Sequence, residues 1–314
     1  MLKKEWISKN VWIWSFLGTL LLWVGVSILQ SQFSFSYLVS AASTSCFLCL
    51  IALGQMIVMT SGDGAIDLSS QYVVSMIPYL MQFFSAHLGL WGALAVSLAI
   101  CAFVGLVNGL INIYLKVPAM ITTLATGYIV FSVTLMLSKT IAGVPDPLIK
   151  HIAQSGTFLG IPWRIIIIAV VGTLLWLLLY KTKYGWDLHA VGQNRVAAKM
   201  SGVRVNRTVI LAFVLGSVLC GISGVLINGY IGLGGQDVGT TYIMPCIIAA
   251  VVGGTGLAGG KSSVVGVILA SLMWTLLNAF LNLTWLPIPY QNLLKGMILV
   301  VVLTASAPKQ QTNA

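Results

Sequence analysis

Apolar runs alternate with short polar breaks along nearly the whole 314-residue chain. Eight runs approach or exceed the roughly twenty residues that a spanning helix needs. They are Val11–Leu29, Tyr37–Met59, Leu88–Ile111, Met120–Leu137, Ile165–Tyr180, Val209–Ile227, Val264–Leu283 and Pro289–Thr304. Two more, Gln71–Phe84 and Tyr242–Val252, are shorter, and the second runs into glycines. The pattern predicts an all-α polytopic membrane protein with about ten transmembrane helices. No hydrophilic stretch is long enough to form a soluble domain, so residues 1–314 read as one transmembrane unit.

Composition agrees. Hydrophobic residues make up 58% of the chain and charged residues only 7%, too few charges to dissolve a soluble domain. The net charge is +10, but the basic residues lie at the ends of apolar runs. That placement fits membrane topology and anionic headgroups, and it argues against a nucleic-acid partner. Met1-Leu-Lys-Lys-Glu5 precedes a first run longer than a signal-peptide core, with no small-residue cleavage site directly after it. The run therefore reads as a retained helix.

The densest basic segment is Lys181–Arg207, which holds Lys181, Lys183, Arg195, Lys199, Arg204 and Arg207 against a single acid, Asp187. Short loops rich in Lys and Arg stay in the cytoplasm. An even number of spans then places both termini inside, together with Lys116 and Lys261. The Ser138–Arg164 loop falls outside although it carries Lys139, Lys150 and Arg164, against the trend. Within the basic loop Asn194 is placed to cap a short helix through Ser201, with Gly192 before it and Gly202 as its stop. Val196, Met200 and Val203 would share a weakly apolar face, and Ala198 is small enough to enter a partner's groove. Docking to a soluble partner and a plain solvated loop both fit this segment.

Two glycine-rich breaks carry the other informative chemistry. Thr60-Ser-Gly-Asp-Gly-Ala-Ile-Asp-Leu-Ser-Ser70 places Asp63 and Asp67 between apolar runs. Each Asp costs about 2.5–3.5 kcal/mol at the centre of a lipid-exposed helix, so both must face protein, a water-filled cavity or the interface. They fit a turn that caps the next helix, a gate in a broken helix, or the proton or cation site of an ion-coupled secondary transporter. An aspartyl protease needs carboxylates converging from separate elements, which one short break does not supply.

The second break, Gly253-Gly254-Thr-Gly-Leu-Ala-Gly259-Gly260-Lys-Ser262, nearly matches a phosphate-binding loop. Thr255 stands where that motif needs its first Gly, and no strand-and-helix unit surrounds it. A close-packed helix break is the better fit. No metal or cofactor site is expected, because His87, His151 and His189 lie apart without acidic or cysteine ligands at useful spacing. Cys46-x-x-Cys49 reads as small residues on a packed helix face. Asn108-Gly-Leu-Ile-Asn112 before Pro118 echoes Asn278-Ala-Phe-Leu-Asn282 before Pro287 and Pro289. The echo is consistent with an inverted repeat.

Four blocks in order give the chain a family likeness: Gly62-Asp-Gly-Ala-Ile-Asp67-Leu-Ser69, Lys116-Val-Pro118-Ala-Met-Ile-Thr-Thr-Leu124, Gly185-Trp-Asp-Leu-His-Ala-Val-Gly192-Gln-Asn194-Arg-Val-Ala-Ala198-Lys-Met-Ser-Gly202, and Ala249-Ala-Val-Val-Gly253-Gly-Thr-Gly-Leu-Ala-Gly259-Gly260. Along nearly its whole length the chain resembles the permease subunits of bacterial ribose- and xylose-type ABC importers. Two departures stand out. An extra residue interrupts the usual Gly-Gly-Ile-Asp pattern at Asp63-Gly64-Ala65, and Ile243-Met-Pro245 replaces an acidic pair.

The resemblance implies a multi-pass permease of the bacterial inner membrane that performs no chemistry itself. It would import a small polar solute, such as a monosaccharide, by alternating access. The implied partners are cytoplasmic ABC ATPase subunits, an extracytoplasmic solute-binding protein and a second permease, identical or homologous. On this likeness the Gly192–Gly202 segment, with Asn194, Val196, Ala198 and Met200, is the loop that meets the ATPase. Asp63, Asp67, Asn108, Pro118, Gly253, Gly254, Gly259 and Gly260 are expected in the translocation pathway or its gate.

Overall fold

The computed structural model describes residues 12–30, 33–233, 235–284 and 286–306. The Met1–Glu5 segment and Val11, used above for topology, lie outside them. The described chain is helical, apart from a two-stranded antiparallel hairpin of β1 (Thr157–Phe158) and β2 (Ile161–Pro162). The helices are α1 (Trp12–Leu29), α2 (Phe35–Thr60), α3 (Ser70–Tyr114), α4 (Ala119–Ser138), α5 (Pro147–Gln154) and α6 (Trp163–Lys181). They continue with α7 (Lys183–Gln193), α8 (Arg195–Met200), α9 (Val205–Ile231), α10 (Thr240–Val252), α11 (Val264–Leu283) and α12 (Ile288–Ser306). Among the described residues, seven helices are long and apolar enough to cross a membrane.

Two expectations are corrected in detail. Gln71–Phe84 and Leu88–Ile111 are expected as separate runs with a gap at 85–87. Two helices do form within α3, but the first runs on through that gap and the break falls at Gly89, where φ 66° and ψ 179° leave the helical region. Glycine adopts that backbone without a Cβ penalty. The basic segment, expected to hold one short helix, holds two. Thr182 caps α7 by accepting from the Gly185 N–H, and Tyr184, Leu188 and Val191 recur at helical spacing.

α2 is the central post. Every residue from Ser45 to Thr60 is buried, which is the fate of a helix that is apolar all round. Its partner α9 approaches closely because both helices carry glycine at the crossing. A Cβ on Gly54 would lie 2.7 Å from the Gly216 carbonyl oxygen, the small-residue contact that membrane helices use to pack. By contrast α1, α4 and α6 leave Leu21, Met136 and Leu174 exposed, the surfaces that lipid would cover.

Helix ends fall into two groups. Thr60 at the end of α2, the α7–α8 junction and the 253–262 segment meet at one end of the bundle. Ser15 Oγ in the first turn of α1 donates to Val252 O, so α1 starts near that end. The hairpin, α5 and Tyr230 near the end of α9 mark the other end, where Gln154 Nε2 donates to Tyr230 O at 2.9 Å. Thirteen residues of α10 rise about 20 Å, short of the ~30 Å hydrocarbon core. It therefore begins inside the bundle and descends to the 253–262 end.

Candidate functional site

The three segments singled out by the sequence converge at a glycine junction. A Cβ on Gly192 would sit 1.9 Å from Thr60 O and 2.4 Å from the Gly260 nitrogen. One on Gly259 would sit 2.3 Å from the Gly62 Cα. The Gly260 N–H donates to Thr60 O at 3.0 Å, pinning the second break to the end of α2. Only glycine permits main chains this close. The His189 ring bridges Gly185 O and Ser262 Oγ at 2.7 and 2.9 Å. Tyr180 donates to Ser262 O at 2.7 Å, tying α6 and α7 to the same segment. Burial raises the Tyr184 phenol above its ordinary pKa, so it stays neutral beside Thr208 O.

α8 is built as its sequence predicts. The Asn194 side chain accepts from the Ala197 N–H at 3.0 Å. At the other end the Val203 N–H reaches Ala198 O and the Gly202 N–H reaches Lys199 O, both at 3.0 Å, with Gly202 at φ 83°. This is the Schellman closure. Val196 is 71% exposed and Met200 85%, so they stand free on the outer face. Ala198 is only 5% exposed and packs inward with Val58, Val191 and Phe213. The expectation that Ala198 enters a partner's groove is therefore corrected: on so short a helix, two residues from Val196 is the opposite face. Val203 packs against the same inner cluster and also leaves the shared outer face.

Asp63 and Asp67 play different parts. Asp63 is 66% exposed and pairs with Arg195 Nη1 at 2.8 Å, joining the first break to the start of α8. It adopts φ 54°, a left-handed conformation that Asp tolerates better than most residues. Asp67 is buried. Its Oδ1 accepts from the Ser69 N–H at 2.8 Å and from Ser69 Oγ at 2.6 Å. Asn108 Nδ2 donates to Ser69 Oγ at 2.9 Å, and Thr126 Oγ1 donates to Asn108 Oδ1. The Leu68 N–H donates to Thr123 Oγ1 at 2.9 Å. Gln55, oriented to satisfy both groups, accepts from Asp67 N at 3.1 Å and donates to Asp67 O at 3.2 Å.

Gln55 lies five residues, or about 7.5 Å of helix, before Thr60. The chain thus leaves α2 at the junction, re-enters the bundle through Asp67, and starts α3 inside it. Pro118 opens α4, the helix that carries Thr123 and Thr126. The partners of Asp67 are those of a turn-holding carboxylate.

α10 ends with the same chemistry as α8. The Thr255 N–H reaches Ala250 O and the Gly254 N–H reaches Val251 O, with Gly254 at φ 101°. Gly253 lets α11 approach, since a Cβ there would meet Val267 N at 2.5 Å. At its start, the Gly239 N–H donates to Ser75 Oγ at 2.9 Å. The beginnings of α3 and α10 therefore meet within the bundle.

Beside the start of α10 lies a cavity of about 640 Å³ between α2, α10, α11 and α12. Thr44, Thr240, Thr241, Trp274, Asn278, Asn292 and Lys295 are among its lining residues. None of the expected pathway residues lines it. Asp63, Gly259 and Gly260 belong to the junction at the bundle end, Gly253 and Gly254 close α10 against α11, and Asp67 and Asn108 hold the re-entrant turn. The cavity residues were missed because they are scattered over four helices. The sequence signals were Asn278, in the echo of the Asn108 block, and the Ile243-Met-Pro245 departure, whose Met244 and Pro245 also line the cavity. Among the described residues no His, Cys, Asp and Glu group could hold a metal. The five cysteines are buried and free.

Residues 37–303 match the family described as the permease component of branched-chain amino acid transport systems. The chain is 29% identical over 300 residues to an autoinducer 2 import system permease protein LsrD of Yersinia enterocolitica, covering 93% of this chain and 90% of that one. It is 30% identical to the corresponding Salmonella typhimurium protein, over 83% of this chain and 80% of the relative. The Yersinia pestis protein is 28% identical over the same shares. No solved structure matches. The chain belongs to this family of importer permeases, a multi-pass transport subunit of the ABC sugar-importer type.

Proposed function

We propose that the chain carries a small, hydroxyl-rich solute into the cytoplasm through the cavity beside α10, driven by an ABC ATPase that docks on α8. The observation that carries this proposal is the direct linkage of α8 to both helix breaks: Arg195 holds Asp63, and Gly192 lies against Thr60 and Gly260. A push on α8 would move the re-entrant turn before α3 and the end of α10 together, and both helices start beside one another near the cavity. The Lys181–Arg207 end is then cytoplasmic, by its charge. A second permease copy and an extracytoplasmic binding protein complete the transporter. Alternating access follows when the two halves of the pathway open in turn.

Counting α3 as two segments about Gly89, and α10 as a half-span, gives ten membrane segments, with α1 starting and α12 finishing on the cytoplasmic side in this reading. The breaks support an inverted repeat. α3 rises from the bundle interior away from α8, and α10 descends from the interior toward it. Asp63 in an ion pair and Asp67 in a satisfied turn disfavour the ion-coupled alternative. The cavity offers hydroxyls, two carboxamides and one ammonium, which suit a polyhydroxylated solute. Because the relatives are named for autoinducer 2 import, that signal is the first solute to test.

The test is reconstitution with the cognate ATPase and binding protein, followed by uptake of labelled autoinducer 2 and of pentoses. ATP-dependent uptake that falls in Asn278→Ala and Lys295→Gln supports the assignment. ATP-independent uptake driven by an ion gradient would overturn it.

A further inference from the structure

Arg164 stands at the bundle end opposite α8, against the trend of the charges, and its surroundings do not neutralise it. It is 9% exposed, and Nη1 is buried without a hydrogen-bond partner. Among the described residues the only salt bridge is Asp63–Arg195, so no described carboxylate pairs with Arg164. The guanidinium lies 5.1 Å from the Tyr230 ring centroid and 5.6 Å from that of Phe47. Such cation–π contacts offset only part of the desolvation of a buried charge.

A second cavity of about 230 Å³ opens on this group, between the first two turns of α2 and the hairpin. Ser36, Ser40, Ser43, Ser155 and Thr157 line it with Arg164, and no acidic residue does. Ser43 Oγ is likewise buried and unpartnered. The space is below the ~300 Å³ of a small-molecule site but suits a single tetrahedral or carboxylate group. Exposed Phe35 and Phe158 flank it in sequence.

We propose that Arg164 and Ser43 form an oxyanion site at the end of the permease opposite α8, sized for one phosphate group. The buried guanidinium supplies donors only, the unpartnered serine and the further hydroxyls can each donate, and no carboxylate competes, which suits an anion rich in acceptor oxygens. The same chemistry is presented by free inorganic phosphate and by the phosphate of an anionic lipid headgroup. The site is separate from the transport proposal, because it lies at the end opposite α8 and shares no lining residue with the larger cavity, although Ser43 and Thr44 are neighbours on α2.

The test uses the full-length permease in phosphatidylcholine nanodiscs, titrated with inorganic phosphate at constant ionic strength while the unfolding temperature is read. A saturable rise that Arg164→Gln abolishes is expected if the source is free phosphate. Ser40→Glu places a carboxylate at the rim and guards against a folding defect in Arg164→Gln. It should raise the unfolding temperature without phosphate and weaken phosphate binding by roughly tenfold or more. A second arm measures retained phosphatidylglycerol by native mass spectrometry from mixed bilayers. Retention by the wild type, lost in Ser40→Glu, identifies the headgroup as the source. If neither phosphate nor phosphatidylglycerol distinguishes the wild type from both variants, the site does not exist and Arg164 is held by its aromatic neighbours alone.

Discussion

Asp63 and Arg195 meet at 2.8 Å across 132 positions of sequence. One belongs to the break before α3 and the other opens α8. An ion pair with one partner this exposed contributes roughly 0–1 kcal/mol, so its value lies in fixing how α8 sits on the bundle. Asp63→Asn and Arg195→Gln should each leave the unfolding temperature nearly unchanged while lowering ATP-driven uptake. Asn is the suitable replacement because it also tolerates the left-handed backbone. The double variant should transport no worse than the poorer single one. Additive losses in that cycle would show that the two residues act separately.

The glycine junction should be far less tolerant than the end of α8. A Cβ on Gly192 meets the Thr60 carbonyl and the Gly260 nitrogen, whereas one on Gly202 meets nothing within 4 Å. Gly192→Ala must push main chains apart, which typically costs about 1–3 kcal/mol or more. Gly202→Ala carries only its positive φ, at roughly 1 kcal/mol. Thermal unfolding of the purified variants ranks them, and equal losses would contradict the close approach.

Asp67 should behave as a turn residue. Asp67→Asn keeps an oxygen for the Ser69 N–H and hydroxyl, while Asp67→Leu leaves both unpaired in a buried site at about 1–3 kcal/mol each. The Asn variant should retain most of its transport and the Leu variant should lose it. Loss of transport in Asn with normal stability would instead point to a proton carrier. Asn108→Ala should resemble the Leu variant more mildly, because Ser69 and Thr126 each lose one bond but keep another, to Asp67 and to Thr122 O.

On α8 the faces separate partner binding from folding. Val196→Glu and Met200→Glu change exposed side chains, so membrane levels and stability should stay normal while ATPase co-purification falls. Ala198→Glu places a charge against Val58, Val191 and Phe213, which costs several kcal/mol. It should fail before assembly, with low membrane levels. An Ala198→Glu protein that accumulates normally would mean that this face is open.

The helical class and most helix positions were legible in the chain, because spanning a bilayer demands long apolar runs and leaves polar breaks visible. The ends of α8 were readable as well, since capping by Asn194 and closure at Gly202 are local hydrogen-bond chemistry. The four ordered blocks were enough to indicate the family. α7 was legible too, in Thr182 and the Tyr184–Leu188–Val191 spacing, but the basic residues around it read as loop. Which faces turn inward emerged from the packing of the helices alone. Lipid and protein interior are both apolar, so hydrophobicity does not distinguish the buried α2 from the exposed α1, nor mark Ala198 as inward. The partners of Asp63, the junction of Gly62, Gly192, Gly259 and Gly260, and the cavities at Lys295 and Arg164 unite residues from distant segments. Their positions follow from how the helices pack, which no local pattern encodes.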